Sequence, residues 1–264
     1  MHNFLIALLL WLCLISSVDG GLYWWRPPSG TNFGDELSHA IVERMTGRSV
    51  ERSSLDNSSP TLFAIGSILH FSKNGDVIWG SGFRGKPPLV AELTDLDVRA
   101  VRGPCTRLVL LEKGIPCPEV YEDPAMLFPL LFPEFQPQEA TQDYIVIPHI
   151  NEMQKYRKVK HVVYPSEPWQ EIVKKILKSR LVVSGSLHGL IIAEAYGIPA
   201  RYLRTNKNEP LFKYRDYYEA TGRPQFTFAS SIEEALLWGG EPPRSIDLQP
   251  LLDAFPWDYF DSLP

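Results

Sequence analysis

The stretch LVVSGSLHGLIIAEAYGIP at positions 181–199 decides the fold of this chain. It opens with the apolar, strand-forming run Leu181-Val182-Val183 and passes through the small-residue turn Ser184-Gly185-Ser186. His188 and Gly189 follow, and Leu190-Ile191-Ile192-Ala193 continues as an apolar helix. Gly197 and Pro199 end that helix, the first as a C′ glycine and the second as a residue that cannot extend it. Strand, turn and helix in this order place the turn at the carboxyl end of a strand and at a helix N-terminus. Free backbone N–H groups and the positive end of the helix dipole favour an anion there. Ser186, His188 and Gly189 are therefore candidate ligand contacts, and a histidine so placed can titrate, donate to phosphate or protonate a substrate. The competing interpretation is a tight turn with His188 packed beneath it.

Composition sets the outer limits. A chain of 264 residues, 44% hydrophobic and 22% charged, suits one large packed domain or two small ones. A net charge of -5 excludes a bulk nucleic-acid binder and leaves room for a local basic pocket. Residues 4–15 (FLIALLLWLCLI) are too few for a bilayer span of about 20 and match a signal-peptide core. Val18 and Gly20 supply small residues before a cut after Gly20. Residues 1–20 are expected to be a signal peptide or an uncleaved signal anchor, directing the chain to the secretory pathway (Golgi lumen or secretion). Membrane contact is expected only in the anchored case. Cys105 and Cys117 form a poor zinc pattern and leave one disulfide open. Asn57-Ser58-Ser59 is a glycosylation sequon handicapped by Pro60.

Read in order, the chain alternates strands and helices. Residues 22–25 form a first strand, and Leu37, Ile41 and Met45 space a helix that Gly47 closes. Asn32 is placed to cap this helix, and Asp35 in its first turn is either a dipole partner or a carboxylate facing a cleft. Strands over 62–69 and 76–85 both end in small residues, with His70 and Arg84 just at their ends. Arg102 closes a strand before Gly103-Pro104 starts a helix, a position suited to gripping carboxylate or phosphate. The Pro- and Gln-rich segment 132–143 is the expected linker between domains at 21–135 and 136–264. Beyond it come strands at 144–148 and 162–164 and a helix with Trp169, Ile172, Val173, Ile176 and Leu177 on one face. A basic, aromatic segment then carries Lys213 and Tyr217, and Ser231 and Glu234 form a capping-box pattern. Two βα series predict an α/β protein with two Rossmann-like domains facing a central cleft.

With these pieces placed, the chain resembles the polysaccharide pyruvyl transferase family. The matching motifs are Asn32-Phe33-Gly34-Asp35-Glu36-Leu37, Gly66-Ser67-Ile68-Leu69-His70, Trp79-Gly80-Ser81-Gly82-Phe83 and Val101-Arg102-Gly103-Pro104. Asp123-Pro124-Ala125, Ser186-Leu187-His188-Gly189, and Lys213 with Asp216-Tyr217-Tyr218 complete the series. The resemblance implies a GT-B-like fold and a ketal-pyruvate transferase that moves pyruvate from phosphoenolpyruvate onto two sugar hydroxyls. It also implies that Arg102 and His188, and with them Lys213, bind or activate the donor.

The resulting expectation makes His188 and Asp35 the acid and base. Arg102, Lys213, Arg84, Ser186 and Gly189 would contact the donor, and Tyr217 and His70 the acceptor. Neither a cofactor beyond the donor substrate nor a divalent metal is expected, and the partners are phosphoenolpyruvate and a glycan, not nucleic acid. Two alternatives remain: a nucleotide-sugar glycosyltransferase, or a non-catalytic secreted protein stacking sugars on Trp24, Trp25, Tyr217 and Tyr218.

Overall fold

Two all-parallel sheets carry the chain. In the first, β1 (Gly21–Tyr23), β2 (Thr61–Phe63), β3 (Val77–Trp79) and β4 (Asp97–Ala100) lie side by side in sequence order. In the second, β5 (Ile145–Ile147), β6 (Val182–Ser184) and β7 (Ala200–Tyr202) do the same. The helices are α1 (Phe33–Thr46), α2 (Pro104–Glu112), α3 (Phe128–Leu131), α4 (Trp169–Ile176), α5 (Leu187–Ala195), α6 (Phe212–Ala220), α7 (Ile232–Trp238), α8 (Gln249–Asp253) and α9 (Trp257–Asp261). This computed structural model describes residues 21–261 apart from Ser29, Asn57 and residues 86–92. The expected signal segment 1–20 and the sequon asparagine lie outside the described residues.

Local chemistry explains most boundaries. Gly47 ends α1 at φ 66°, its N–H bonded to the Glu43 carbonyl at 2.8 Å. Pro104 opens α2 in the first turn, where its missing N–H costs nothing. Residues 187–194 of α5 are buried all round, as a helix apolar on every face requires. Ser231 Oγ accepts from Glu234 N at 3.1 Å, while the Glu234 carboxylate turns to Ser230 instead of closing the capping box. The strands expected over 62–69 and 76–85 stop early. Gly66 and Gly80 adopt φ values of 116° and 89°, which no strand continues through. The strand expected at 162–164 is reduced to one bridge, Val146 to Val162.

The core and the segment 132–143 bring the two sheets together. One apolar cluster contains Leu22, Leu37 and Leu62 together with Ile147, Val182 and Ile191. The segment 132–143 is held down by Phe132, stacked on Phe128 at 4.2 Å, and by N–H bonds from Gln138 and Thr141 to the Leu177 and Lys178 carbonyls. The C-terminal helices return to the first sheet: Tyr259 Oη donates to the Gly21 carbonyl at 2.9 Å and Trp79 Nε1 to the Leu251 carbonyl at 2.9 Å. Cys105 and Cys117 are both free thiols, and burial pushes each up to about 12. Among the described residues no helix is long and apolar enough to cross a membrane.

The close contact that ties the halves together is testable. A Cβ at Gly103 would lie 2.0 Å from the Asp216 carbonyl on α6. Gly103→Ala is expected to cost about 1–3 kcal/mol by forcing α2 and α6 apart. Thermal unfolding should show a lower Tm for the variant, and an unchanged Tm would contradict this packing.

Candidate active site

Parallel strands align their carboxyl ends, and a pocket of about 330 Å³ opens where those ends meet. The first half contributes Trp25 after β1, Ser67, Ile68, His70 and Phe71 after β2, and Arg84 after β3. Asn32 and Asp35 enter from the start of α1. The second half contributes His149 and Asn151 after β5, Ser186, Leu187 and His188 at the start of α5, and Lys213 on α6.

One wall is cationic. Lys213 Nζ donates to Glu209 Oε1 at 2.7 Å, and Arg84 clamps the same carboxylate through Nη2 at 2.7 Å and Nε at 3.3 Å. Burial lowers the Lys213 ammonium, with Glu209 opposing that shift. The Glu209 carboxyl is held down at about 2 despite burial, because Arg84 and Lys213 face it. His149 Nε2 stands 3.1 Å from Lys213 Nζ, and burial reinforced by Lys213 drives its pKa down to about 4. His149 is therefore neutral near pH 7. Two fixed cations share one carboxylate, which leaves the wall with a net positive charge for an anionic ligand.

The same pocket pairs an acid with a histidine. Asp35 is buried, accepts from Asn32 Nδ2, and is raised by desolvation to about 6, against the pull of His188, Asn32 and Lys213. The Asn32 side chain thus serves Asp35 rather than capping α1. A Cβ at Gly34 would sit 2.1 Å from His188 Nδ1, so only glycine at that position admits the imidazole ring. His188 Nε2 faces Asp123 Oδ2 at 3.5 Å. Trp25, Phe71 and His70 add an aromatic patch; the His70 and Phe71 ring centroids are 4.0 Å apart. Burial and the neighbouring Arg84 lower His70.

His188, Asp35, Lys213, Arg84, Ser186 and His70 all line the pocket. Three expected contacts do not. Arg102 is 0% exposed, and its guanidinium is committed to Asp216 Oδ2 at 3.1 Å, Ser67 Oγ at 2.8 Å and the Phe83 carbonyl at 2.6 Å. It acts on the site indirectly, by holding Ser67 and by anchoring α6 through Asp216. Gly189 does not line the pocket; a Cβ there would meet Ser184 Oγ at 2.3 Å, so glycine lets α5 pack closely on the end of β6. Tyr217 is also fully buried, with its hydroxyl on Glu194 Oε2 at 2.8 Å. Trp24 and Tyr218 are core residues too, so of the four aromatics considered for sugar stacking only Trp25 reaches the pocket. His149, Asn32, Glu209 and Asp123 were not singled out as site residues. His149 shares the strand-end position that marked the others, whereas Glu209 carries no local signal, its partner Arg84 lying 125 residues away. No group of three or more His, Cys, Asp or Glu side chains among the described residues could hold a metal ion.

A parallel α/β scaffold thus holds a cationic wall and an acid–histidine pair in one pocket. Comparison with known proteins makes this specific: residues 32–207 match the family model described as polysaccharide pyruvyl transferase, and the chain belongs to that family. The family name describes a transferase acting on polysaccharide. The chain is 27% identical over 237 residues to the succinoglycan biosynthesis protein ExoV of Rhizobium meliloti (strain 1021), covering 82% of this chain and 71% of that protein. It is 24% identical over 207 residues to the uncharacterized protein L143 of Acanthamoeba polyphaga mimivirus, covering 72% and 71%. A functionally uncharacterized protein from Klebsiella pneumoniae superposes with a TM-score of 0.49 at 11% identity, covering 81% of this chain and 94% of that one.

The Asp35 environment has a measurable consequence for stability. Its carboxyl is raised in the folded chain from the ordinary 3.8 to about 6, so ionising it opposes folding. The penalty is absent below about pH 4, grows between 4 and 6, and is complete above 6. Asp35→Asn is expected to raise Tm at pH 8 and leave it little changed at pH 4. Equal effects at both pH values would show that ionisation is not the cause.

Proposed function

We propose that this chain transfers pyruvate from phosphoenolpyruvate to two hydroxyls of one sugar residue, forming a cyclic ketal on a polysaccharide. The observation that carries this proposal is the wall built from Arg84 and Lys213 around the single carboxylate of Glu209, in one pocket with Asp35 and His188. Phosphoenolpyruvate brings a phosphate and a carboxylate, and two cations with one counter-charge suit it. The first turn of α5, which starts at Leu187, adds backbone N–H groups that have no partner within the helix. A pocket of about 330 Å³ is at the lower end for ligand sites, about 300–1,000 Å³, which favours a three-carbon donor and one sugar ring over a nucleotide sugar. A relative whose name places it in succinoglycan biosynthesis supports a polysaccharide acceptor. Each half supplies one sheet and part of the pocket, which supports the GT-B-like arrangement.

In this mechanism His188 gives a proton to the donor's methylene carbon, which becomes the methyl group, and C2 gains oxocarbenium character. Asp35 takes the proton of the attacking sugar hydroxyl as the first C–O bond forms. The bond from C2 to the phosphate oxygen breaks, and Arg84 and Lys213 hold the charge of the departing phosphate. The second hydroxyl closes the ketal, and its proton leaves with phosphate. His70, Phe71 and Trp25 form the apolar side against which the acceptor ring rests.

Purified protein incubated with phosphoenolpyruvate and bacterial or synthetic galactoside and glucoside acceptors is expected to release phosphate. A ketal methyl signal should appear in the proton NMR spectrum. The rate should rise with pH through about 6 as Asp35 ionises, and His188→Ala should lower kcat by at least about 100-fold. Absence of phosphate release, together with a Tm rise induced by nucleotide sugars, would replace this proposal with a glycosyltransferase.

A further inference from the structure

Directly behind His188 lies a carboxylate that no step above uses. Asp123 is 0% exposed. Its Oδ1 accepts from Ala125 N at 3.0 Å and so caps the 3-10 turn that follows. Its Oδ2 has no hydrogen-bond partner among the described residues, and neither has His188 Nε2, 3.5 Å away. Two buried polar atoms left facing each other are each other's only complement, and a cap alone would not need the second oxygen.

The backbone around Asp123 is built to hold it there. Glu122 adopts φ 100°, a conformation that a residue with a side chain pays for, and its N–H bonds to the Arg102 carbonyl at 3.3 Å. A Cβ at Gly80 would lie 2.2 Å from Pro124 Cδ, so the segment packs against bare backbone. Burial, with Asp123 beside it, raises the Glu122 carboxyl to about 8.

We propose that Asp123 is a positioning residue that keeps the proton of neutral His188 on Nε2, so that Nδ1 is the nitrogen that exchanges a proton with substrate. Nε2 is sealed from solvent, and His188 lines the pocket, which leaves Nδ1 as the open nitrogen. The Gly34 backbone packs against that edge, and the lack of a side chain there keeps Nδ1 from being covered, since a Cβ would meet it at 2.1 Å. In the reactive form the imidazolium carries a proton on each nitrogen. The Nδ1 proton goes to the donor's methylene carbon, the Nε2 proton stays on Asp123's side, and the ring returns to its neutral Nε2–H form. This inference rests on the proposed transfer reaction for its substrate, and on geometry alone for the tautomer.

Asp123→Asn separates the two roles of this side chain. The amide oxygen still accepts from Ala125 N, while the amide nitrogen donates to Nε2 and forces the proton to Nδ1. Nitrogen-15 NMR of the histidine rings should show neutral His188 as Nε2–H in the unaltered chain and as Nδ1–H in the variant. With phosphoenolpyruvate and an acceptor, kcat should fall by about 10²–10⁴-fold with the donor KM changed less than about threefold. An Nδ1–H tautomer in the unaltered chain would overturn the proposal, as would a variant retaining kcat within about twofold. If the unaltered chain shows no transfer, the proposed reaction fails, and the tautomer measurement still decides the role of Asp123.

Discussion

The buried pair between Arg102 and Asp216 is the constraint on which the rest of the site depends. Arg102 lies two residues past β4 and Asp216 sits on α6, and both side chains are 0% exposed with 3.0 Å between Nη2 and Oδ2. Asp216 also accepts from the Thr106 backbone N–H at 2.8 Å and from the Thr106 hydroxyl at 2.6 Å, fixing α2 to α6. Such a pair is weak evidence of net stability, because desolvating two charges offsets much of their attraction. Its value here is positional. α6 carries Lys213, one turn before Asp216, so the pair that joins the halves also sets where the pocket's ammonium stands.

Several motif glycines follow from the same crowding. A side chain at Gly82 would meet Arg102 Nη2 at 2.6 Å, and one at Gly103 would meet the α6 backbone. Strands ending in small residues look like phosphate cradles, yet in this fold they make room for a guanidinium and a helix. At Gly34 and Gly66 the space is used by His188 and by Asp35, the acid and base of the proposed reaction. The glycines shape the pocket without lining it.

What the sequence shows locally, the structure keeps. The strand–turn–helix at 181–199, the Gly47 stop and the apolar stripe of α4 are set by neighbours within a few residues, and each appears where its pattern places it. Pocket residues at strand ends were legible for the same reason: parallel strands bring their carboxyl ends together. Partner choice was not legible. Arg102 at a strand end looks identical whether it faces a ligand or an aspartate 114 positions away. Tyr217 belongs to a basic, aromatic run that reads as a binding surface, but its helix turns that face inward onto Glu194 and Arg223. Glu209, which organises the cationic wall, is paired with Arg84, 125 positions away in sequence, as well as with nearby Lys213.

The central claim is that Arg84 and Lys213 form the seat of an anionic three-carbon donor. Isothermal titration of phosphoenolpyruvate into the unaltered chain, Arg84→Met and Lys213→Met tests it most directly. The account predicts saturable binding to the unaltered chain that weakens with added salt, and at least a tenfold loss of affinity in each variant. Equal affinity in all three proteins would contradict it.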